Sequence, residues 1–188
     1  LFANTSSADL YKIDPKTGQV IWSSNTADSL YSNATDFYKS SQILILKDEI
    51  IYSSGQSTFS QNILTGAMNW KTDISSVGVP IVDGDNIFLV TENGYFAIIN
   101  RKSGNIISSK NILNILKKRK QKTKVNSFLL ASGKIYATTL NGNLIISSAT
   151  SGKTESFIKI GDKIISQIII NDSSLYLLTE KSKILGFN

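Results

Sequence analysis

Short apolar runs alternate with clusters of Ser, Asn, Asp and Gly along the whole chain, and the runs have the two-residue period of β-strands. The first clear unit runs from Leu10 through the turn Asp14-Pro15-Lys16-Thr17-Gly18 to Trp22. Asp14 and Thr17 can hydrogen-bond local backbone, and Gly18 can adopt a positive φ that other residues avoid. The pattern predicts two antiparallel strands joined by a tight turn, followed by an aromatic ring that can be buried.

This unit recurs along the chain. Trp22 follows Gly18 by four residues, and Trp70 follows Gly66 by the same step, after Thr65. An interval of seventeen residues separates a strand start from a turn glycine in three copies: Leu1 to Gly18, Ile87 to Gly104 and Ile135 to Gly152. Such self-similarity indicates a repeat architecture.

A shorter apolar run and a turn precede most copies, which makes the unit four antiparallel strands long. The runs are Ile43 to Leu46, Val77 to Val82, Phe128 to Ala131 and Ile164 to Ile170. The unit recurs roughly every 40–48 residues, the period of propeller blades. We therefore predict an all-β fold, a β-propeller arc of four-stranded antiparallel blades with three complete blades and two partial ones. The blade parts are residues 1–24, 41–73, 77–110, 125–160 and 164–188. A β-sandwich also has many short strands, but it would not repeat turn chemistry at one place in each unit.

Several turns carry residues that could instead do chemistry. Asn93-Gly94 and Asn141-Gly142 predict two-residue hairpins. Asp83 and Asp85 suggest a metal loop, but Ca²⁺ needs six to eight oxygens and no acid follows at the required spacing, so a hairpin turn is favoured. Asp48 and Glu49 could form a general acid/base pair, but they occupy the same turn position, and we predict a solvated turn there too. No catalytic residue and no metal site is predicted.

Two connections between units are long, and the alternating strand directions place both on one face of the ring, where binding residues are commonly found. The connection from Ser24 to Ser41 carries Tyr31, Phe37 and Tyr38. The connection from Asn111 to Lys124 carries six cations and no acid: Lys117, Lys118, Arg119, Lys120, Lys122 and Lys124. Apolar pairs at Ile112-Leu113 and Ile115-Leu116 predict one or two helical turns that pack on the propeller rim before this basic run. The three aromatic residues either cover the ring face or bind a partner.

The basic run dominates the charge of the chain. Lys110 adds a seventh cation to the six of the run, while the formal net charge is +6, so the remaining residues are close to neutral. The run is either a solvated loop or a contact for an acidic protein surface or anionic lipid. Nucleic acid is disfavoured because the run holds no aromatic residue for base stacking.

Composition excludes several classes of chemistry. The chain has no Cys and no His, which removes disulfides, thiolate chemistry and the commonest general base and metal ligand. No apolar run is long enough to cross a bilayer. Because the sequence opens on Leu1 and an arc of partial blades cannot close a ring, we expect a fragment of a longer protein. The missing part, or a second copy through self-association, would cover the open blade edges.

The Asp-x-x-Thr-Gly-x-x-x-Trp pattern at Asp14, Thr17, Gly18 and Trp22 resembles the tryptophan-docking motif of PQQ-like (quinoprotein) β-propeller repeats. A weaker match stands at Thr65, Gly66 and Trp70, and in later copies Ser108 and Ser156 replace the tryptophan. The resemblance implies that each indole packs between adjacent blades and locks them together. Where serine stands, we expect smaller contacts through Ile107 and Phe157.

Two branches of this family give different functions. One comprises PQQ-dependent dehydrogenases, which bind quinone and calcium and often carry an adjacent cysteine pair. The other comprises non-catalytic propellers such as the BamB-type outer-membrane assembly lipoproteins. This chain has no cysteine, and no tryptophan outside positions 22 and 70 to lie under a quinone. The resemblance therefore favours a protein-binding scaffold of the bacterial periplasm without a cofactor, which contacts its protein partner through the face with the two long connections. The alternative is a fragment of a PQQ-dependent dehydrogenase.

Overall fold

The structure, a computed structural model, describes residues 1–27, 40–116 and 123–187, and these residues form eighteen strands in five antiparallel sheets. Strands that are neighbours in a sheet are also consecutive in sequence. Three sheets have four strands, and the sheets at the two ends of the order have three. The predicted fold class, an arc of three complete and two partial blades, is confirmed.

We number the blades 1 to 5 in chain order. Blade 1 consists of β1 (Phe2–Asn4), β2 (Asp9–Ile13) and β3 (Val20–Asn25). Blade 2 consists of β4 (Leu44–Ile45), β5 (Glu49–Ser54), β6 (Ser57–Asn62) and β7 (Met68–Thr72). Blade 3 consists of β8 (Ile81–Asp83), β9 (Asn86–Val90), β10 (Tyr95–Asn100) and β11 (Ile106–Asn111). Blade 4 consists of β12 (Val125–Ala131), β13 (Lys134–Thr139), β14 (Asn143–Ser148) and β15 (Thr154–Lys159). Blade 5 consists of β16 (Ile169–Asn171), β17 (Ser174–Leu178) and β18 (Ile184–Phe187).

Apolar side chains between successive sheets form the core. In one cluster Ile51 of blade 2 packs with Ile87, Leu89 and Ile99 of blade 3, and all four are fully buried. A second cluster joins blades 3 and 4, and a third joins blades 4 and 5. Both faces of a complete blade are therefore covered by its neighbours, which explains the nearly continuous apolar runs in the middle strands.

Alternating strand direction divides the turns between two faces of the arc. The loop face carries the turns between the second and third strands of blades 2 to 5, the equivalent turn between β1 and β2 of blade 1, and the connections between blades. The opposite face carries the other turns, including the turn of residues 14–18. Residues 112–116 form the predicted helical turn on the loop face, and Ile112, Leu113 and Leu116 are buried there.

The predicted two-residue hairpins at Asn93-Gly94 and Asn141-Gly142 are wrong in length. Phe96 pairs with Val90 and the Thr91 amide donates to the Tyr95 carbonyl, which leaves three residues in the loop. The equivalent loop of blade 4 also has three residues, because β13 ends at Thr139 and β14 begins at Asn143. A two-residue turn of the predicted type needs positive φ at both central positions, whereas here Gly94 and Gly142 have it and the two asparagines do not.

The first strand of a blade is shorter than predicted in blades 3 and 5. The run from Val77 to Val82 contributes β8 from Ile81, and the run from Ile164 to Ile170 contributes β16 from Ile169. The earlier residues make single contacts with the second strand, such as the Val77 amide donating to the Val90 carbonyl. The chain thus enters each of these blades through a short irregular segment that faces the centre of the arc.

The predicted turn at Asp83 and Asp85 is confirmed, but Glu49 is not solvated. Asp83 pairs with Asn86 across a two-residue turn whose Gly84 has a φ of +58°. The Glu49 side chain is only 14% exposed, and its Oε1 lies 2.6 Å from Arg101 Nε of blade 3. Its other oxygen accepts a short hydrogen bond from the Ser60 hydroxyl. Glu49 therefore links two blades, because Arg101 lies on the turn that packs beside it.

Candidate interaction face

Trp70 of blade 2 packs on a turn of blade 3. A Cβ on Gly104 would lie 2.7 Å from Cδ2 of the Trp70 ring, so the ring rests on the glycine backbone. The indole Nε1 donates to the Arg101 carbonyl at 2.7 Å, and the side chain is buried. Arg101 therefore contacts blade 2 twice, through its carbonyl and through its guanidinium.

Trp22 of blade 1 packs in the same way on a turn of blade 2, but its indole lacks the hydrogen bond that Trp70 makes. A Cβ on Gly66 would lie 2.7 Å from the Trp22 ring, but the side chain is only partly buried. Its Nε1 has no hydrogen-bond partner among the described residues. The carbonyl that corresponds to that of Arg101 belongs to Ile63, and it accepts from Lys12 Nζ at 2.9 Å.

The other motif residues shape the tight turn that precedes each tryptophan in its own blade. The Asp14 carboxylate accepts from the Lys16 amide at 2.8 Å, and Thr17 Oγ1 accepts from the Gln19 amide at 3.3 Å. In blade 2 Thr65 Oγ1 accepts from the Ala67 amide at 3.2 Å. These side-chain contacts hold a turn in which the glycine has a φ of +73° at both Gly18 and Gly66.

The joint between blades 3 and 4 lacks an indole, and the expected substitutes do not fill its place. Ile107 is 57% exposed, so the expected contact through this residue is wrong, and Phe157, which belongs to the following joint with blade 5, is 43% exposed. Gly152 instead lies beneath Phe96 and Lys110, each 3.2 Å from an ideal Cβ. Side chains of one strand alternate between faces, which turns Ile107 away from Gly152 and leaves the glycine to Lys110 of the same strand and Phe96 of β10.

The helical turn of residues 112–116 strengthens this joint from the loop face. Ile112, Leu113 and Leu116 join the apolar cluster between blades 3 and 4, and Leu113 packs on Gly94. The Ile112 carbonyl accepts from the Thr154 hydroxyl of blade 4 at 3.0 Å. A segment between blades thus supplies the apolar contact that a tryptophan supplies at the two earlier joints.

The same segment leads into the basic run. Lys124 is placed on the loop face, where its Nζ lies 3.2 Å from Glu92 Oε2 and 2.7 Å from Asn93 Oδ1. Leu116 and Thr123, which border the run, are both buried. The other residues predicted to bind a partner lie outside the described residues: Tyr31, Phe37, Tyr38, Lys117, Lys118, Arg119, Lys120 and Lys122.

A cavity of about 960 Å³ opens on the loop face and spans blades 2 to 4. Ser40 and Ser76 line its inner part, and their hydroxyls have no hydrogen-bond partner among the described residues. Tyr95, Asn126 and Leu140 line the part that lies over blades 3 and 4. The sequence reasoning missed this cavity, because its wall comes from seven separate stretches of the chain.

The carboxylates at the cavity already have cationic neighbours. Asp73 Oδ1 lies 3.5 Å from Lys71 Nζ, and Glu92 is paired with Lys124. Elsewhere on the loop face, hydrogen bonding to Lys181 lowers the pKa of Asp162, and the same contact raises the pKa of Lys181. These pairs are exposed and therefore weak, but they leave the cavity close to neutral.

One buried titratable group lies near the loop face in blade 2. Burial raises the pKa of the Tyr52 phenol to about 12, although the hydroxyls of Ser24 and Thr26 favour the phenolate. These hydroxyls approach the phenol without forming a well-aligned hydrogen bond, so the Tyr52 hydroxyl is buried without a partner among the described residues. Within these residues no group of three or more carboxylates could hold a metal ion. No helix in this part of the chain has the length and apolarity to span a membrane.

Repeated blades, joined through a ring on a glycine turn, define a β-propeller of the PQQ-like class. Residues 1–110 match the family described as "Outer membrane protein assembly factor BamB". Because this match covers more than half of the chain, the chain belongs to that family. A comparison with curated protein sequences found no significant match.

Solved structures with the same fold include three natural propellers. BamB from Moraxella catarrhalis is 15% identical with a TM-score of 0.70, and the match covers 99% of this chain and 54% of that chain. Sqt1 from Saccharomyces cerevisiae is 14% identical with a TM-score of 0.72, covering 98% and 53%. The Cps50 (Swd1) propeller domain from Myceliophteria thermophila is 11% identical with a TM-score of 0.72, covering 99% and 60%. This chain thus spans between 53% and 60% of the length of these propellers, and the likeness shows the fold.

Proposed function

We propose that the chain is a non-catalytic scaffold that binds a protein partner through its loop face and acts in outer-membrane protein assembly in the bacterial periplasm. Membership of the BamB family supports the assembly role. The cavity is the observation that supports binding at the loop face. It opens among turns of three blades, close to the ends of the two long connections. A rigid scaffold that presents loops around a concave site is typical of binding surfaces.

The basic run would add electrostatic attraction to binding at this face. Its described member, Lys124, stands on the rim of the cavity beside Glu92. Lys117, Lys118, Arg119, Lys120 and Lys122 would attract an acidic partner surface and raise the rate of encounter. Anionic lipid is the other target of such a run, and vesicles with and without phosphatidylserine or phosphatidylglycerol would separate the two.

The arrangement of the two tryptophans supports a scaffold over a quinone-dependent dehydrogenase. Both rings rest on glycine turns of the next blade, so one face of each ring is already covered by protein. We expect that adding PQQ and calcium leaves both the tryptophan fluorescence and the melting temperature unchanged. A specific, saturable change in either signal would favour the dehydrogenase instead.

The absence of cysteine makes a direct test of the face possible, because a single introduced thiol is unique in the chain. A photoreactive maleimide would be attached to Gln56→Cys or Asn93→Cys on the loop face. Matched labels would be attached to Lys16→Cys and Lys102→Cys on the opposite face. All four native side chains are exposed. The labelled proteins would be cross-linked in envelope fractions of the cells that make the protein, and the products identified by mass spectrometry.

We expect the two loop-face labels to cross-link to the same protein, and that protein to be an outer-membrane assembly component. The two opposite-face labels should give no such product. Cross-links from the opposite face alone would overturn the choice of face. A loop-face product with no part in outer-membrane assembly would overturn the assembly role while leaving the scaffold intact.

A further inference from the structure

Two exposed side chains with large apolar surfaces line the loop-face cavity. Tyr95 begins the third strand of blade 3 and is 47% exposed, and Leu140 lies in the corresponding turn of blade 4 and is 43% exposed. Buried Val125 lies between these blades and lines the same part of the cavity. An aromatic ring and an aliphatic group in a concave site with a few polar groups are the usual composition of a binding hot spot.

The charges around this site favour a neutral contact. The carboxylates that line the cavity, Asp73 and Glu92, each have a lysine within 3.5 Å. The remaining polar groups near Tyr95 are neutral, namely the Asn93 and Asn126 amides and the Ser76 hydroxyl. Such groups can donate to or accept from a neutral partner, and they provide little net charge to hold an ion.

The first strands of the blades around the cavity do not suit addition of a partner strand there. The first strands of blades 2 and 3, β4 and β8, contain two and three residues and do not line the cavity, and of β12 in blade 4 only Val125 and Asn126 line it. A strand added to such short edges would make few ladder hydrogen bonds, whereas recognition by strand addition depends on main-chain bonds along the edge. The concave shape instead fits a compact protrusion, such as a loop or the end of a helix.

We infer that the protein partner inserts a loop or helix end carrying a neutral, apolar side chain that packs between Tyr95 and Leu140. This inference rests on the proposed function and locates its central contact over blades 3 and 4. The basic run then contributes electrostatic attraction, while the apolar contact contributes most of the residence time. Removal of either side chain should weaken binding without changing its salt dependence, because the contact is uncharged.

The test measures the affinity of the purified partner, identified by the cross-linking above, for four variants. Tyr95→Ala and Leu140→Ala should each bind at least about 10-fold more weakly than the wild-type chain. Tyr95→Phe should bind like wild type, since the ring makes the contact. Ile106→Ala is the matched control, because Ile106 is also 47% exposed and belongs to the same blade, outside the cavity. Melting temperatures of all four variants would show whether each one is folded.

The affinities would be compared at about 0.05 M and about 0.5 M salt, which changes the screening length several-fold. We expect the loss caused by Tyr95→Ala to be equal at both concentrations. Folded Tyr95→Ala and Leu140→Ala variants that bind within about twofold of wild type would overturn the inference. Wild-type protein that fails to bind the cross-linked partner would overturn the proposed function, which distinguishes the two failures.

Discussion

Three turn glycines allow a direct measurement of what the tryptophan joints contribute to stability. Gly18, Gly66 and Gly104 all have a φ of +73°. An ideal Cβ on Gly18 meets nothing within 4 Å, whereas on Gly66 or Gly104 it lies 2.7 Å from an indole ring. An alanine at any of the three positions therefore has the same backbone strain. At Gly66 and Gly104 its Cβ also collides with a tryptophan ring.

The magnitudes follow from the two effects. An alanine in the left-handed region costs about 1–2 kcal/mol, reduced by up to about 1 kcal/mol through the loss of unfolded-state freedom, so Gly18→Ala should cost about 1 kcal/mol. At Gly104 the Trp70 ring must move about 1 Å to restore a normal carbon contact, which also stretches its 2.7 Å bond to the Arg101 carbonyl. Complete loss of a buried aromatic side chain costs about 3–5 kcal/mol, so this displacement should add about 2 kcal/mol.

The assay is urea unfolding of the wild type and the three variants. We expect the free energy of unfolding to fall most for Gly104→Ala and least for Gly18→Ala, with unchanged denaturant slopes. The loss for Gly66→Ala should be intermediate, because Trp22 is already partly exposed and its Nε1 has no hydrogen bond to lose among the described residues. Equal losses at Gly18 and Gly104 would refute the conclusion that the indole joint stabilises the arc.

Two further predictions use conservative substitutions. Trp70→Phe should destabilise the chain by about 1 kcal/mol more than Trp22→Phe, because among the described residues the Trp70 indole donates a hydrogen bond and the Trp22 indole does not. Urea unfolding of both variants measures this difference, and equal losses of unfolding free energy would contradict the prediction. Burial raises the pKa of Tyr52 from its usual value of 10 to about 12. The free energy of unfolding should therefore be unaffected by this group below pH 10 and should fall as the pH rises from 10 towards 12. The free energy of unfolding should fall by about 2–3 kcal/mol over this range, and Tyr52→Phe should abolish this decrease. A variant whose unfolding free energy depends on pH in the same way as the wild type would contradict the role of Tyr52.

The architecture was predictable because the information that specifies it is local. The turn chemistry of Asp14, Thr17 and Gly18 recurs at a fixed step, and the spacing of strands and turns follows from one repeated unit. The helical turn at residues 112–116 was also predictable, since its apolar pairs have helical spacing. These local features were predicted from sequence alone, whereas the lengths of the Asn93-Gly94 and Asn141-Gly142 loops were not.

Features determined between blades were not predictable in this way. Glu49 and Arg101 are 52 positions apart, and only the packing of blade 2 on blade 3 brings them together. The substitution of Lys110 and Phe96 for an indole over Gly152 likewise depends on which strand faces the joint. The cavity combines residues of three blades, so no spacing in the sequence points to it.

Hydrogen exchange of the chain, alone and with its cross-linked partner, tests the central claim that the loop face is the binding surface. The chain should gain protection in the loop-face turns near residues 54–57, 91–95 and 139–143. The opposite-face turns near residues 14–18, 62–66 and 100–104 should exchange at unchanged rates. Protection confined to the opposite-face turns would contradict the account.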